Sequence, residues 1–592
     1  MLKEAEYMKS IWTDKVDLKN PLPEYPRPQF KRDCWQCLNG EWEYQITTRG
    51  EKWISDFSGK ITVPFAIESL LSGVEKALKP TDRLWYRKKF TVNPELKDKR
   101  ILLHFDAVDW QCKVYVNKEF VGNHTGGYCA FSFDITDFLK DGENAVTVCV
   151  YDPTETGWQN RGKQDSHPHG FWYTPTSGIW QTVWLEGVNA DYIASIRILP
   201  DIDKGQFNIK TELCAKEYDG IVLYVYDGDD EIISKEISVD ENVAFDNGFK
   251  LWSPEEPNLY DIELNLIKNG KIADTVKSYF GMRKFGIDKD KFGVTRLFLN
   301  NEPYFQRGLL DQGYWPDGGL TPPSDEAMIF DIKEMKRLGF NMLRKHIKVE
   351  PMRWYYHCDR LGMIVWQDMI SGGAYIGDLY AGVFPNLNIK VKDNRYERFS
   401  RGKKEARDDY KRELGEMISQ LYNVVSIYCW VPFNEGWGQF DAVQIANYVR
   451  NLDSSRVIDH ASGWYDQGGG DIQSMHKYVF PIKMPKLDGK RAFVITEFGG
   501  YQNRFHGHSW TDNKSFGMYL KFKNMETLTA AYKKLYYKQI IPLIDKGLCG
   551  TIYTQLSDVE NELNGIYTYD REHIKIHEDT IIEINSKLRY EV

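Results

Sequence analysis

No stretch of about 18 consecutive apolar residues occurs in this chain, so no helical membrane span is expected anywhere along it. The first residues, MLKEAEYMKSIW, lack the apolar core of a secretory leader, which makes a cytoplasmic, reducing location the expectation. A basic stripe is also missing. The formal net charge is −9, and the short run Lys403–Lys404 near Arg407 is mixed with acids, as on a solvated helix face. Nucleic acid is therefore not an expected partner. Cysteines are scattered and odd in number, nine in all. Cys34 and Cys37 form one CxxC with no second pair at zinc spacing, so free thiols are expected there. No His, Cys, Asp and Glu set converges at ligand spacing, and the His506-x-His508 pair reads as polar loop. Neither a metal nor a cofactor is expected.

What the chain has in excess is aromatic rings, with 18 Trp and 36 Tyr. Aromatic faces stack on the apolar faces of sugar rings, and they also fill β-sandwich and barrel cores. The first half reads as strands. Short alternating runs at 40–46, 101–108, 112–117 and 145–152 are separated by turn residues, as in a sandwich or jelly roll. A second block, with runs at 193–200, 207–215, 220–227 and 259–270, has the length of an immunoglobulin-like sandwich. The boundaries fall near 187 and 286, giving domains at 1–187, 188–286 and 287–592.

After residue 290 strand-like runs alternate with helix-period segments, which argues for a parallel sheet with crossover helices. Eight strands are expected, at 304–311, 341–347, 363–369, 426–435, 457–462, 471–478, 492–499 and 550–558, the number a (β/α)8 barrel needs. The first helix has Ser324 as N-cap, acids Asp325 and Glu326 in its first turn, and Met328, Ile332, Met335 and Leu338 on one face. Gly339 ends it.

A barrel of this kind carries its chemistry at the C-terminal strand ends. Those ends hold Arg344 and His346 on the second strand and Gln367–Asp368 on the third. The fourth ends in Asn434–Glu435, the sixth holds His476 and Tyr478, the seventh ends in Glu497, and the eighth holds Gln555. Glu435 and Glu497 each follow a strongly apolar strand, where a carboxylate is costly unless paired or functional. Either alone reads equally well as a solvated ion pair. Two across one barrel mouth are what glycoside hydrolysis requires, one donating a proton and one attacking the anomeric carbon. Asn434 is placed to bond a sugar 2-hydroxyl, and Trp437 to wall the site. Arg344 is a candidate cation for holding a nucleophile ionised, and the Tyr478 phenol a candidate donor to it. For Arg344, His346 and His476 taken singly, structural roles stay equally open.

These motifs resemble glycoside hydrolase family 2, the group of β-galactosidases, β-glucuronidases and β-mannosidases. LNGEWEY (38–44), WYRKKF (85–90) and GIWQTVWLE (178–186) resemble its N-terminal sugar-binding jelly roll, and 188–285 its immunoglobulin-like domain. RLFLNNEPYFQRGLLDQ (296–312) resembles the entry to its barrel, LGFNMLRKHIKVEP its Arg-x-His stretch, VPFNEGWG its acid/base motif and VITEFGG its nucleophile motif. The resemblance implies a jelly-roll sandwich, an immunoglobulin-like sandwich and a (β/α)8 barrel. It implies a retaining exo-β-glycosidase acting on a glycoside or oligosaccharide, with Glu435 as acid/base and Glu497 as nucleophile. It also implies that Arg344, His346, His476 and Tyr478 lie around the nucleophile, and that a homo-oligomer can form.

The chain departs from the family pattern in three places. Ile-Lys-Val-Glu-Pro follows His346 where Tyr-Pro is common. Gln555 stands where many members carry a Trp under the sugar. The glucuronidase Asn-x-Lys motif, which grips the sugar carboxylate, is replaced by Glu562-Leu563-Asn564. An acid in place of a cation disfavours a glucuronide. A neutral sugar is expected, β-galactoside first, with arabinoside, galactofuranoside or mannoside next and the disfavoured glucuronide as a further alternative. The reading of another class is a carbohydrate-binding homologue that has lost catalysis.

Overall fold

The computed structural model describes residues 8–590 apart from 49, 51, 52, 378, 388, 479, 512–516 and 518. Residues 1–7, at the start of the MLKEAEYMKSIW segment, lie outside the described residues.

Two antiparallel sheets form the first domain. Gly40–Thr48, Asp82–Thr91, Glu143–Tyr151 and Gln111–Val116 are consecutive strands of a six-stranded sheet. A four-stranded sheet containing Val183–Val188 and Arg100–Phe105 packs on it. The pleat explains the pairing. Cys112, Val114 and Val116 alternate inward along one strand, and Val148 lies opposite both Val114 and Tyr86. The next strand, Tyr192–Asp201, opens a second sandwich of a three-stranded and a four-stranded sheet. Its core is Ile209, Ile221, Leu223, Val225, Leu264 and Val276. Arg32 joins the two sandwiches, bonding buried Glu186 at 3.0 Å and buried Asp274 at 2.8 Å. All nine cysteines are free thiols.

The barrel strands are β1 (Gln306–Asp311), β2 (Met342–Lys345), β3 (Ile364–Asp368), β4 (Ile427–Val431), β5 (Val457–Ile458), β6 (Ile472–Lys477), β7 (Ala492–Gly499) and β8 (Leu548–Thr554). They pair in parallel in the order β5-β4-β3-β2-β1-β8-β7-β6. Helix α1 (Asp325–Arg337) begins where its sequence signals put it, with the Ser324 hydroxyl accepting from the Ala327 N–H at 3.3 Å. A small sheet at Phe285–Lys289 and Thr295–Leu299 packs Phe285, Leu297 and Leu299 against Leu310, Met342, Ile364 and Trp366 of the barrel strands.

The fifth strand is much shorter than the 457–462 run suggests. After Ile458 the chain leaves the ladder to serve the end of β4. Ser462 N–H donates to Phe433 O at 2.8 Å, and Glu435 N–H donates to Ser462 O at 3.0 Å. Between β5 and β6 the seam is held by Asp471, whose N–H donates to Ile458 O at 2.8 Å and whose carboxylate accepts from Ile458 N–H at 2.9 Å. Among the described residues no helix is long and apolar enough to cross a membrane.

Candidate active site

At the C-terminal end of the strands lies a cavity lined by His346, Asn434, Glu435, Trp437, Tyr478, Glu497 and Glu562 among the expected residues. One carboxylate oxygen of Glu435, one of Glu497 and a ring nitrogen of His476 lie within 4.8 Å of one another. Glu435 stands just past β4 with φ of +51°, a backbone region that non-glycine residues seldom occupy and that turns the side chain into the cavity. Its side chain is 27% exposed, against 6% for Glu497. The Glu435 side chain is thus partly exposed and that of Glu497 is enclosed.

The same surroundings push the two groups in opposite directions. Burial, and then the negative charge of Glu497, raise the Glu435 carboxyl above its ordinary range. Burial alone would raise Glu497 too, but attraction to His476 and Arg344 outweighs it and holds the carboxyl at about 2. Tyr478 OH donates to Glu497 Oε2. His476 spans the pair, with Nδ1 2.8 Å from Glu435 Oε1 and Nε2 3.6 Å from Glu497 Oε1.

Arg344 is fully buried and organises the floor. It donates to Asp368 Oδ1 at 2.9 Å and Oδ2 at 3.0 Å, a bidentate pair. Nη1 donates to Glu497 Oε1 at 3.0 Å and to Thr496 O at 3.2 Å, and Nη2 donates to Asn434 Oδ1 at 2.8 Å. With its oxygen so engaged, Asn434 offers its amide N–H to the cavity. Asp368 also bonds His346 Nδ1 at 2.8 Å.

Not every expected residue faces the cavity. Arg344, Asp368 and His476 lie behind its lining and act on it through the carboxylates, Asn434 and His346. Gln555 and Asn564 are buried at the back of the site and do not line it. Gln555 Nε2 donates to Asn564 Oδ1 at 2.8 Å, and Gln555 Oε1 accepts from Gln312 at 2.6 Å. Together with two tyrosines these groups hold Glu562. Its carboxylate accepts from Tyr519 OH at 3.0 Å, Asn564 Nδ2 at 3.1 Å and Gln312 Nε2 at 3.2 Å, and from Tyr173 OH.

Sequence reasoning missed much of the wall. Lys163, Phe171 and Trp172 come from the first domain, through the irregular segment between its strands ending at Tyr151 and beginning at Gly178. Trp172 meets Trp437 edge-on with ring centroids 4.8 Å apart, and the Arg161 guanidinium lies 5.2 Å from the first ring and 5.4 Å from the second. Tyr375, Ile376, Trp464 and Tyr519 come from barrel loops. The length of the 152–177 segment, too great for a sandwich turn, was the available signal.

The chain matches the sugar-binding domain of glycosyl hydrolases family 2 over residues 38–187, the family's central domain over 191–283 and its TIM barrel domain over 297–554. It is 28% identical over 443 residues to a β-galactosidase of Thermoanaerobacter pseudethanolicus, covering 70% of this chain and 54% of that one. It is 27% identical over 366 residues to a putative β-glucuronidase of Formosa agariphila, covering 59% and 39%. The chain thus spans about half or less of the length of these curated relatives. Among solved structures, a β-D-glucuronidase of Dictyoglomus thermophilum superposes with a TM-score of 0.73 at 17% identity, covering 95% of this chain and 98% of that one. Three successive domain matches in chain order, on a fold shared nearly end to end, make this chain a member of glycosyl hydrolases family 2.

Proposed function

We propose that this chain is a retaining exo-β-glycosidase that removes a terminal neutral sugar by double displacement. The observation that carries the reading is the pair Glu435 and Glu497, close enough for one anomeric centre and shifted in opposite directions by their surroundings. Retaining enzymes hold their carboxyl groups about 5–5.5 Å apart, and inverting enzymes need room for a water between them. The raised carboxyl of Glu435 protonates the leaving oxygen. The ionised Glu497 attacks the anomeric carbon, and a water activated by Glu435 then releases the sugar. Asn434 donates to the 2-hydroxyl, and Trp172 and Trp437 wall the entrance.

The curated relatives include β-galactosidases and putative β-glucuronidases, so the glycone is read from the cavity. Glu562 sits in its wall and opposes a sugar carboxylate, which supports a neutral glycone, β-galactoside first. One observation favours the glucuronide reading: the cavity does hold a cation, Lys163, supplied by another domain. A panel of nitrophenyl glycosides decides between them. Turnover of a neutral β-glycoside with retained anomeric configuration is the expected result. Binding without turnover across the whole panel would leave the carbohydrate-binding reading instead.

The pH profile follows from the two shifts. Activity requires Glu497 deprotonated and Glu435 protonated. The acid limb of kcat/KM is therefore expected near the lowered value of Glu497, about 2, or wherever acid unfolding intervenes. The alkaline limb follows loss of the Glu435 proton and lies above the ordinary glutamate range. In Glu435→Gln, which has no proton to lose, that alkaline limb should vanish from the residual activity on a nitrophenyl glycoside.

A further inference from the structure

The segment that brings Lys163 to the cavity is fastened to the barrel on one side and to its own sandwich on the other. Arg161 N–H and Gly162 N–H both donate to Ser371 O, at 3.1 and 3.0 Å. Arg401 donates to Asn160 Oδ1 at 2.5 Å. Gln164 Nε2 donates to Asp109 Oδ2 at 2.8 Å and to Tyr128 OH at 2.9 Å. Gly162 has φ of +65°, and a Cβ there would lie 2.8 Å from the Tyr128 hydroxyl, so this close approach needs a glycine. Lys163 is thus carried on a backbone clamped at both neighbours.

Its ammonium has no hydrogen-bond or ion-pair partner among the described residues. Beside it lie the Phe171 ring, 5.8 Å away, and the Tyr173 ring, 5.9 Å away, and its charge also acts across the cavity on Glu435, Glu497 and His346. A half-buried ammonium that faces a cavity, attracted by its carboxylates but hydrogen-bonded to none of them, keeps its N–H groups open for a ligand. A second group in the same cavity is equally unserved. His346 is 2% exposed, and its Nε2 has no partner. Its Nδ1 faces Asp368, a carboxylate already in a bidentate pair with Arg344. An anionic acceptor at Nδ1 fixes the proton there and leaves a lone pair on Nε2. Burial, and then the nearby charge of Lys163, hold the imidazole well below its ordinary range, so it stays neutral.

Glu562, by contrast, has nothing left to offer. A carboxylate has about four lone-pair sites. Tyr173, Tyr519, Gln312 and Asn564 fill both of its oxygens. It adds negative charge to the wall but no open acceptor.

We propose that Lys163 and His346 bind one hydroxyl of the glycone, Lys163 donating to the hydroxyl oxygen and His346 Nε2 accepting its proton, and that this pairing selects a neutral sugar over a uronate. A hydroxyl satisfies both groups at once because it donates and accepts. A uronate carboxylate satisfies only Lys163; it would set its oxygen against the Nε2 lone pair, beside the charge of Glu562. Lys163 is then a specificity-determining residue contributed by the sugar-binding domain. This rests on the reading of Glu435 and Glu497 as a glycosidase pair.

The test couples protein and substrate changes. The parent nitrophenyl glycoside preferred by the wild type and its singly deoxygenated analogues are assayed on wild type, Lys163→Met and Lys163→Gln. The wild type should lose roughly 10- to 100-fold in kcat/KM on one deoxy analogue, the scale of a hydrogen bond to a charged group. Lys163→Met should lose a similar factor on the parent sugar and little more on that analogue. Lys163→Gln, which keeps a donor, should fall between. Thermal melts within a few degrees of wild type would show the fold unchanged, as expected for a side chain at the cavity edge.

Equal losses on every analogue would overturn the proposal, since nothing would then link Lys163 to a particular hydroxyl. So would a wild type that prefers the glucuronide and loses that preference in Lys163→Met, which would make Lys163 a carboxylate clamp. A wild type inactive on every glycoside is a different result. It would end the glycosidase reading and this inference with it.

Discussion

Glu497→Gln is expected to lower kcat by about four orders of magnitude or more, equivalent to about 5.4 kcal/mol of lost transition-state stabilisation, while leaving the fold intact. The substitution keeps the volume of an enclosed side chain. It also keeps an oxygen that can accept from Arg344 Nη1, the contact now made at 3.0 Å. Arg344 retains its pair with Asp368 and its bonds to Thr496 O and Asn434, so the guanidinium is not left buried without an anion. What disappears is the negative charge that attacks the anomeric carbon. No glycosyl-enzyme can form, and a burst of nitrophenol should be absent. In Glu497→Ala the vacated space admits azide, which attacks the substrate directly and should give an α-glycosyl azide with recovered turnover. Near-normal rates in the glutamine variant, or a β-azide from the alanine variant, would remove Glu497 from the nucleophile role.

The parts of this site that were readable in the sequence are those fixed by local pattern. Apolar strands that end in polar residues mark the barrel mouth, and Asn434, Glu435, Tyr478 and Glu497 stand there in the structure. The capped helix after β1 was equally legible, because Ser324 and the first-turn acids act within one turn of chain. Legibility failed wherever tertiary contacts decide. The fifth strand shortens because Ser462 is drawn across to Phe433 and Glu435, a pairing invisible to periodicity. Gln555 and Asn564 have the chemistry of sugar contacts, yet buried amides must satisfy one another and Glu562 first, and that need turns them away from the cavity.

The charges in the cavity mark the same boundary more sharply. An acid at Glu562 in place of a lysine is evident from the motif. A lysine supplied from a strap far earlier in the chain is not. Composition could not place Lys163 beside His346; only the docking of two domains does. The cation missing from the eighth strand's loop is therefore not missing from the cavity, and the case for a neutral glycone rests on Glu562 in the wall together with what Lys163 and His346 can jointly bind.

For Glu435 the expected loss depends on the aglycone. Glu435→Ala should slow release of a poor leaving group, such as the second sugar of a disaccharide, by about 10²–10⁴-fold, the usual worth of positioned proton transfer. A nitrophenolate departs without a proton, so the first step on a nitrophenyl glycoside should be slowed far less. The second step still needs Glu435 to activate water. The glycosyl-enzyme on Glu497 should therefore accumulate and appear as a burst followed by a slow steady state. Azide, which needs no general base, should relieve that slow step and yield a β-glycosyl azide, the anomer opposite to the Glu497→Ala product. A variant that lost the same factor on both aglycones, with no burst and no response to azide, would show that Glu435 supports the site without moving the proton.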